Sequence, residues 1–257
     1  MIGNEIYKFA NELWPFNRSI TGDGLRDTLQ RISEHLPALK IQSVLSGTKV
    51  FDWTVPKEWR IKEAYIITPK GKKICDFSKN NLHLVGYSIP FKGEVSFDEL
   101  KKHLYTIPDQ PNAIPYVTSY YKKDWGFCIS QNQKNFFNKK YNKKDKFKVI
   151  IKSNFNSKGH LCLGEYIIPG KSKSEILIST YICHPSMANN ELSGPIVAMS
   201  LIDYFKRFKL DKTLRFVFLP ETIGSITYLY KNLKDLKKNV IGGFNLSCIG
   251  DEKQHSC

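Results

Sequence analysis

The chain has 257 residues, of which 41% are hydrophobic and 25% charged; these are the proportions of an ordinary globular domain and exclude wholesale disorder. That length allows one large domain, or one domain carrying a smaller insert, because single cores rarely grow past roughly 250–300 residues. The net charge is +15, yet 33 of the 39 basic side chains are Lys and only six are Arg. Specific readers of bases and phosphates favour the planar Arg fork, so no specific nucleic-acid partner is expected.

No apolar stretch approaches the ~20 residues of a membrane span, and the first ten residues lack the apolar core of a signal peptide. The sequence therefore reads as a soluble, cytoplasmic protein without a membrane span. Its six Cys (75, 128, 162, 183, 248 and 257) contain no CxxC pair, and reduced thiols are expected.

In chain order, residues 2–13 read as a first helix, with Ile2, Ile6, Phe9, Ala10 and Leu13 near helical periodicity, closed by Trp14-Pro15. The loop Arg18-Ser-Ile-Thr-Gly-Asp-Gly24 follows, where Thr21 or Asp23 can cap a second helix running to about His35. Leu25, Leu29, Ile32 and Leu36 form its apolar stripe.

After Gly47 the character changes. Residues 49–137 hold short alternating runs, frequent Pro, and the aromatics Trp53, Trp59, Tyr87, Tyr116, Tyr120, Tyr121, Trp125 and Phe127, as expected of a small β-rich insert. Within it Ser96-Phe-Asp-Glu99 is a capping-box pattern opening a short helix. Eleven Lys crowd residues 122–158. They read either as a polyanion-binding patch or, more plainly, as a solvated hairpin leading back to the main domain.

The second half returns to compact apolar runs. Residues 175–180, 213–219 and 239–249 read as buried strands, separated by helices over about 192–209 and 222–236. This alternation predicts an α/β domain with a mostly parallel sheet. The expected division is 1–48 and 150–257 for the α/β part, incomplete at its C-terminus, with 49–149 as the insert.

In such sheets ligands bind beyond the carboxyl ends of the strands. The segments following the three runs deliver His184, Asn190 and Glu191, then Glu221, then Asp251. Imidazole and carboxylates converging at one sheet edge are a zinc-type ligand set. Each residue also has a plain reading: a loop His, or first-turn carboxylates favoured by a helix dipole.

Several strings carry a resemblance. They are Arg18-Ser-Ile-Thr-Gly-Asp-Gly24, Phe51-Asp-Trp-Thr-Val-Pro56, Asn81-Leu-His-Leu-Val-Gly-Tyr87, Gln110-Pro-Asn-Ala-Ile-Pro-Tyr116, Cys183-His-Pro-Ser-Met-Ala-Asn189, Leu192-Ser-Gly194 and Pro220-Glu-Thr-Ile-Gly-Ser225. Through them the chain resembles the bacterial aminopeptidase-like domain family, distant relatives of the co-catalytic zinc aminopeptidases. The resemblance implies a phosphorylase/hydrolase-like zinc-exopeptidase fold with an inserted β-rich domain, and a link to surface polysaccharide biosynthesis.

Carried over residue by residue, the first His of the zinc aminopeptidases is matched by Tyr181 or by His184. Their bridging Asp falls at Asn190, followed by Glu191; their Glu pair is represented by Glu221, and their next Asp by Asp251. An amide at Asn190 brings no charge to bridge two cations, so one zinc is expected rather than two.

The implied function is a zinc-dependent hydrolase of an amide bond, in a peptide N-terminus or an amide- or N-acyl-bearing sugar. His184, Asn190, Glu191 and Asp251 would hold the ion and Glu221 would act as base. The alternative is a catalytically inactive binding or scaffold protein on the same fold. Homo-oligomerisation is left open by the sequence.

Overall fold

The computed structural model describes residues 3–120 and 122–251; Met1, Ile2, Tyr121 and residues 252–257 lie outside the described residues. The chain begins with helices α1 (Asn4–Leu13) and α2 (Asp23–His35), then strands β1 (Lys40–Leu45), β2 (Lys49–Val50) and β3 (Trp53–Thr54). Next come β4 (Glu58–Ile67), β5 (Lys73–Ile74), β6 (Phe91–Ser96), α3 (Phe97–Leu100), β7 (Leu104–Tyr105), β8 (Phe127–Cys128), α4 (Gln131–Lys140) and β9 (Lys146–Asn156). The chain continues through β10 (His160–Ile168), β11 (Glu175–Tyr181), α5 (Ser193–Phe205), β12 (Thr213–Leu219), α6 (Ile223–Asn239) and β13 (Val240–Asn245). The described residues form two compact units, one drawn from Met1–Glu58 and Asn156–Cys257, the other from Trp59–Phe155, so residues 49–58 lie with the first.

The first unit is built on a five-stranded sheet of order β1-β10-β12-β11-β13. β11 runs parallel to β12 and β13, whereas β10 is antiparallel to both β1 and β12. The expectation of a mostly parallel sheet is therefore corrected: the sheet is mixed. The parallel pairs arise where α5 and α6 supply the long crossovers that parallel strands require, whereas β10 lies on the other side of β12 and runs in the opposite direction.

Buried Phe9 and Leu13 of α1, Leu25, Leu29 and Ile32 of α2, and Ile196, Met199 and Ile202 of α5 share one apolar core with Phe216 and Phe218 of β12. The cap position of α2 is held by neither Thr21 nor Asp23. Gly22, at φ 101, occupies the cap position, in a left-handed conformation that suits a residue without Cβ. β13 is an edge strand, and its Ile241 and Phe244 are 62% and 66% exposed, so an apolar run that reads as a buried strand lies open.

The second unit carries a four-stranded sheet of order β5-β4-β9-β6. Its interior is aromatic: Trp59 stacks on Tyr87 at 5.6 Å between centroids, and Phe97, Tyr141 and Phe147 pack edge to face or tilted. Ser96 caps α3 by accepting the Glu99 N–H. The Lys-rich stretch is not a hairpin. Residues 131–140 form α4, started by a reciprocal Ser130–Gln133 capping box, and β9 alternates exposed Lys146 and Lys148 with buried Phe147 and Val149. Among the described residues no helix is long and apolar enough to cross a membrane.

Candidate functional site at the strand ends

The parallel strands β11, β12 and β13 end at Tyr181, Leu219 and Asn245, so the segments after them emerge at one sheet edge. Two of these segments are locked together by close packing. A Cβ on Gly194, at the start of α5, would lie 2.2 Å from the Leu246 carbonyl oxygen and 2.3 Å from Thr180 Oγ1. Only glycine lets α5 begin so near the β13 exit. Ser193 Oγ accepts the Ile249 N–H at 3.1 Å and donates to the Asn189 carbonyl at 2.6 Å, and Asn189 Oδ1 accepts the Gly250 N–H at 2.7 Å.

At the centre, the His184 ring lies between two carboxylates. Its Nδ1 is 2.6 Å from Glu191 Oε2 and its Nε2 is 3.2 Å from Glu221 Oε2. The two acids differ in setting: the Glu191 side chain is wholly buried, whereas that of Glu221 is 56% exposed. Glu191 adopts φ 128 and Thr222 φ 56, left-handed values that cost a non-glycine residue on the order of 1–3 kcal/mol and persist where the surroundings impose them.

Arg18 anchors this group from far away in sequence. Its Nε donates to the His184 carbonyl at 2.9 Å and lies 3.5 Å from Glu191 Oε1; its Nη1 donates to the Leu13 carbonyl. Burial pushes the Glu191 carboxyl above its ordinary range, opposed by His184 and Arg18. Burial likewise lowers the Arg18 value, opposed by Glu191. Cys183 is buried beside them, accepts the Glu221 N–H at 3.1 Å, and is held far above the usual thiol range by burial and by Glu191. Such a setting disfavours the thiolate that a nucleophile requires.

A second, neutral group stands next to the first. The Tyr181 hydroxyl donates to Asn190 Oδ1 at 2.9 Å and lies 2.8 Å from Ser247 Oγ. Burial is the main reason that the phenol is pushed up to about 12, so it stays protonated. Its ring meets the His184 ring edge-on at 5.3 Å.

Of the residues expected from sequence, His184, Glu191 and Glu221 are thus in direct contact. Asn190 is bonded to Tyr181 instead, and Asp251 accepts a hydrogen bond from Asn189 Nδ2. The sequence alone assigns no role to the Arg18 or Ser247 side chains. For Arg18 a signal existed: in a chain that uses Lys for most cations, an Arg marks a place needing a planar fork, and Arg18, Arg26, Arg31 and Arg215 all sit in ion pairs.

Among the described residues, the one group of ligand atoms lying within 4.8 Å of one another is that of Cys183, His184 and Glu191. Its chemistry does not suit zinc. Cys183 Sγ is already engaged as the acceptor of the Glu221 N–H. The one carboxylate oxygen without a hydrogen bond, Glu191 Oε1, already faces the Arg18 cation. Tyr181, one of the two positions matched to a first His, and Asn190, matched to the bridging Asp, are a phenol and an amide bonded to each other.

Comparison with known proteins bears on the same residues. A family model described as a domain of unknown function, DUF4910, matches residues 7–257. A protein of Clostridium acetobutylicum, named for polysaccharide biosynthesis and an aminopeptidase-like domain, is 48% identical over 249 residues, or 97% of this chain and 56% of that protein. A crystal structure from the same organism, named as a peptidase, matches with a TM-score of 0.90 and 47% identity over 96% of this chain and 57% of that one. The chain thus spans about half the length of these relatives.

Two more distant structures share the fold. A zinc aminopeptidase from Bacillus subtilis has a TM-score of 0.62 at 12% identity, covering 95% of this chain and 68% of its own. A peptidase M28 precursor from Shewanella amazonensis has a TM-score of 0.62 at 14% identity, covering 93% and 70%. The kinship with aminopeptidase-like proteins that the sequence motifs imply therefore holds, and the α/β fold is that of the M28-type aminopeptidases.

Proposed function

Because the chain belongs to the DUF4910 family, with an aminopeptidase-type α/β fold, we propose that it is a ligand-recognising, non-hydrolytic aminopeptidase-like domain in polysaccharide biosynthesis. The observation that carries this reading is the hydrogen bond from Tyr181 to Asn190 Oδ1, a phenol and an amide satisfying each other where a zinc site would be served by an imidazole and a carboxylate. Breaking that bond to seat a dication would leave a phenol with a value of about 12 and an uncharged amide as donors.

What remains available to a ligand is polar recognition. Glu221 presents a half-open carboxylate backed by His184, an acceptor for the amine or hydroxyl of an amino sugar or a peptide N-terminus. Asn190 and Ser247 add amide and hydroxyl groups of the kind that match an N-acyl substituent. Arg18 and Glu191, buried behind His184, hold the ring in place.

The test is zinc titration calorimetry together with an aminoacyl-anilide cleavage assay. The native chain should take up no stoichiometric zinc and cleave nothing above background. Tyr181→His combined with Asn190→Asp should raise zinc affinity by at least about tenfold, or ~1.4 kcal/mol, because it restores an imidazole and a carboxylate at adjacent positions. Stoichiometric zinc in the native chain, with an amidase activity lost on chelation and in Glu221→Gln, would overturn the reading in favour of a zinc-dependent hydrolase using Glu221 as base.

A further inference from the structure

We propose that the 59–155 unit carries a separate binding surface, a lysine-lined groove formed by Lys62, Lys92 and Lys152, that takes an acidic polysaccharide chain bearing sugar carboxylates. The inference rests on the recognition reading only for the class of partner, a glycan, and not on any residue of the strand-end site.

The first argument is where the charge sits. Residues 59–155 contain 19 basic and 8 acidic side chains, a net of +11 in 97 residues; the remaining 160 residues carry the other +4. A Lys excess produced by nucleotide composition alone would be spread over both units in proportion to length. Here the lysines of one unit are about twice as dense as those of the other, with 18 in 97 residues against 15 in 160.

The second argument is local geometry. Lys62, Lys92 and Lys152 are exposed and line a groove of about 470 Å³ with Pro90, Phe91 and Asn154. On β9, Lys152 and Asn154 are exposed while Ile151 and Ser153 are buried, Lys92 stands opposite Ile150 in the β6–β9 register, and Lys62 of β4 completes the lining. One carboxylate serves several cations. Glu63 pairs with Lys152 at 2.5 Å and also feels Lys73 and Lys62, so positive charge remains in excess around it. A cluster with such an excess of positive charge raises the local concentration of polyanions.

The third argument is the kind of cation. Eighteen of the unit's nineteen basic residues are Lys, point charges without the Arg fork that reads phosphates and bases. Base-stacking platforms are also scarce: Phe136 is the one large aromatic in the described part of this unit that is more exposed than buried. Carboxylates spaced along a sugar chain ask for point charges plus a few amides and hydroxyls, which the groove supplies through its three Lys and Asn154.

The experiment measures binding of the full chain to fluorescently labelled polygalacturonate, with neutral dextran and single-stranded oligo-dT as the other arms. Polygalacturonate should bind, dextran should not, and oligo-dT should bind more weakly. Binding should weaken as salt rises from about 50 to about 300 mM, since exposed charges are then screened. Replacing Lys62, Lys92 and Lys152 together by Gln should weaken polygalacturonate binding at least about tenfold at low salt. That loss corresponds to ~1.4 kcal/mol shared over three side chains. Its melting temperature, checked by circular dichroism, should be unchanged because all three are exposed.

The Tyr181→His, Asn190→Asp chain should bind polygalacturonate as well as the native chain, which separates this inference from the strand-end reading. Undiminished binding by the triple variant, tighter binding of oligo-dT, or no binding of polygalacturonate at low salt would each overturn the proposal.

Discussion

Replacing Arg18 by Met is the sharpest probe of how the strand-end site is held. The substitution keeps the aliphatic volume but removes the cation 3.5 Å from Glu191 Oε1 and the donors to the His184 and Leu13 carbonyls. Both charged side chains are fully buried, and breaking such a pair from one side costs about 3–5 kcal/mol. The loss should depend on pH. Burial already raises the Glu191 carboxyl, and Arg18 is one of the groups restraining it, so its removal raises that carboxyl further.

A carboxyl whose folded value exceeds its unfolded value costs stability as pH rises between the two, because the folded state then binds the extra proton. In Arg18→Met that window extends to higher pH. Because the raised carboxyl is protonated more readily as pH falls, the deficit near pH 5 should be smaller than near pH 8. Near pH 8 the full buried-charge cost of about 3–5 kcal/mol should apply. Urea unfolding at the two pH values, with the slope checked for constancy, measures the difference. Adding Glu191→Gln should abolish the pH dependence. A deficit below about 1 kcal/mol, or one equal at both pH values, would refute the assignment of Arg18 as the buried partner of Glu191.

Other outcomes follow from the same structure. Arg215 donates to both oxygens of Glu175 at 2.6 and 3.0 Å and to Glu165 at 2.7 Å, all buried within the sheet. Arg215→Met should therefore lower stability by about 3–5 kcal/mol in urea unfolding, and a loss under ~1 kcal/mol would mean that water reaches these acids. Gly194→Ala drives a methyl into Leu246 O and Thr180 Oγ1, and should cost at least about 1–3 kcal/mol in a thermal melt. Lys139, Lys140, Lys143 and Lys144 are exposed, so each change to Gln should move stability by no more than about 0.5 kcal/mol; a larger loss would reveal a packed stem.

Periodicity revealed the helices and the interior strands but not the edges of the sheet, and the reason is physical. Leu25, Leu29 and Ile32 recur at helical spacing because one face of α2 is buried, and each is fully buried here. β11 and β12 are central strands, so their apolar runs announce them. β1 at one edge mixes Lys40, Gln42 and Ser43 with two exposed apolar residues, and leaves no pattern to find. β13 at the other edge has the opposite problem: its sequence reads as a buried strand although most of it is open. The mixed direction of the sheet rests on β10, whose partners β1 and β12 lie far away in the chain, and local periodicity carries no information about such pairings.

The site was legible as a place and less so as a set of contacts. Strand-end logic brought His184, Glu191 and Glu221 to one edge, because parallel strands deliver their following loops together. It could not show that Arg18, 166 residues before His184, would occupy the space beside Glu191, nor that Asn189 would engage Asp251. The decisive contact is also beyond motif reading. Tyr181 and Asn190 are visible as substitutions in an aminopeptidase-like pattern, yet only their geometry shows the phenol reaching the amide at 2.9 Å. An Asp at position 190 would carry negative charge that a cation could balance; the Tyr and Asn present satisfy each other by one hydrogen bond. With that pair closed and Glu191 committed to His184 and Arg18, the open carboxylate left among the site's contacting acids is Glu221. Under the proposed recognition reading, that single acceptor, backed by an imidazole, is the group that would meet an amine or hydroxyl of a ligand.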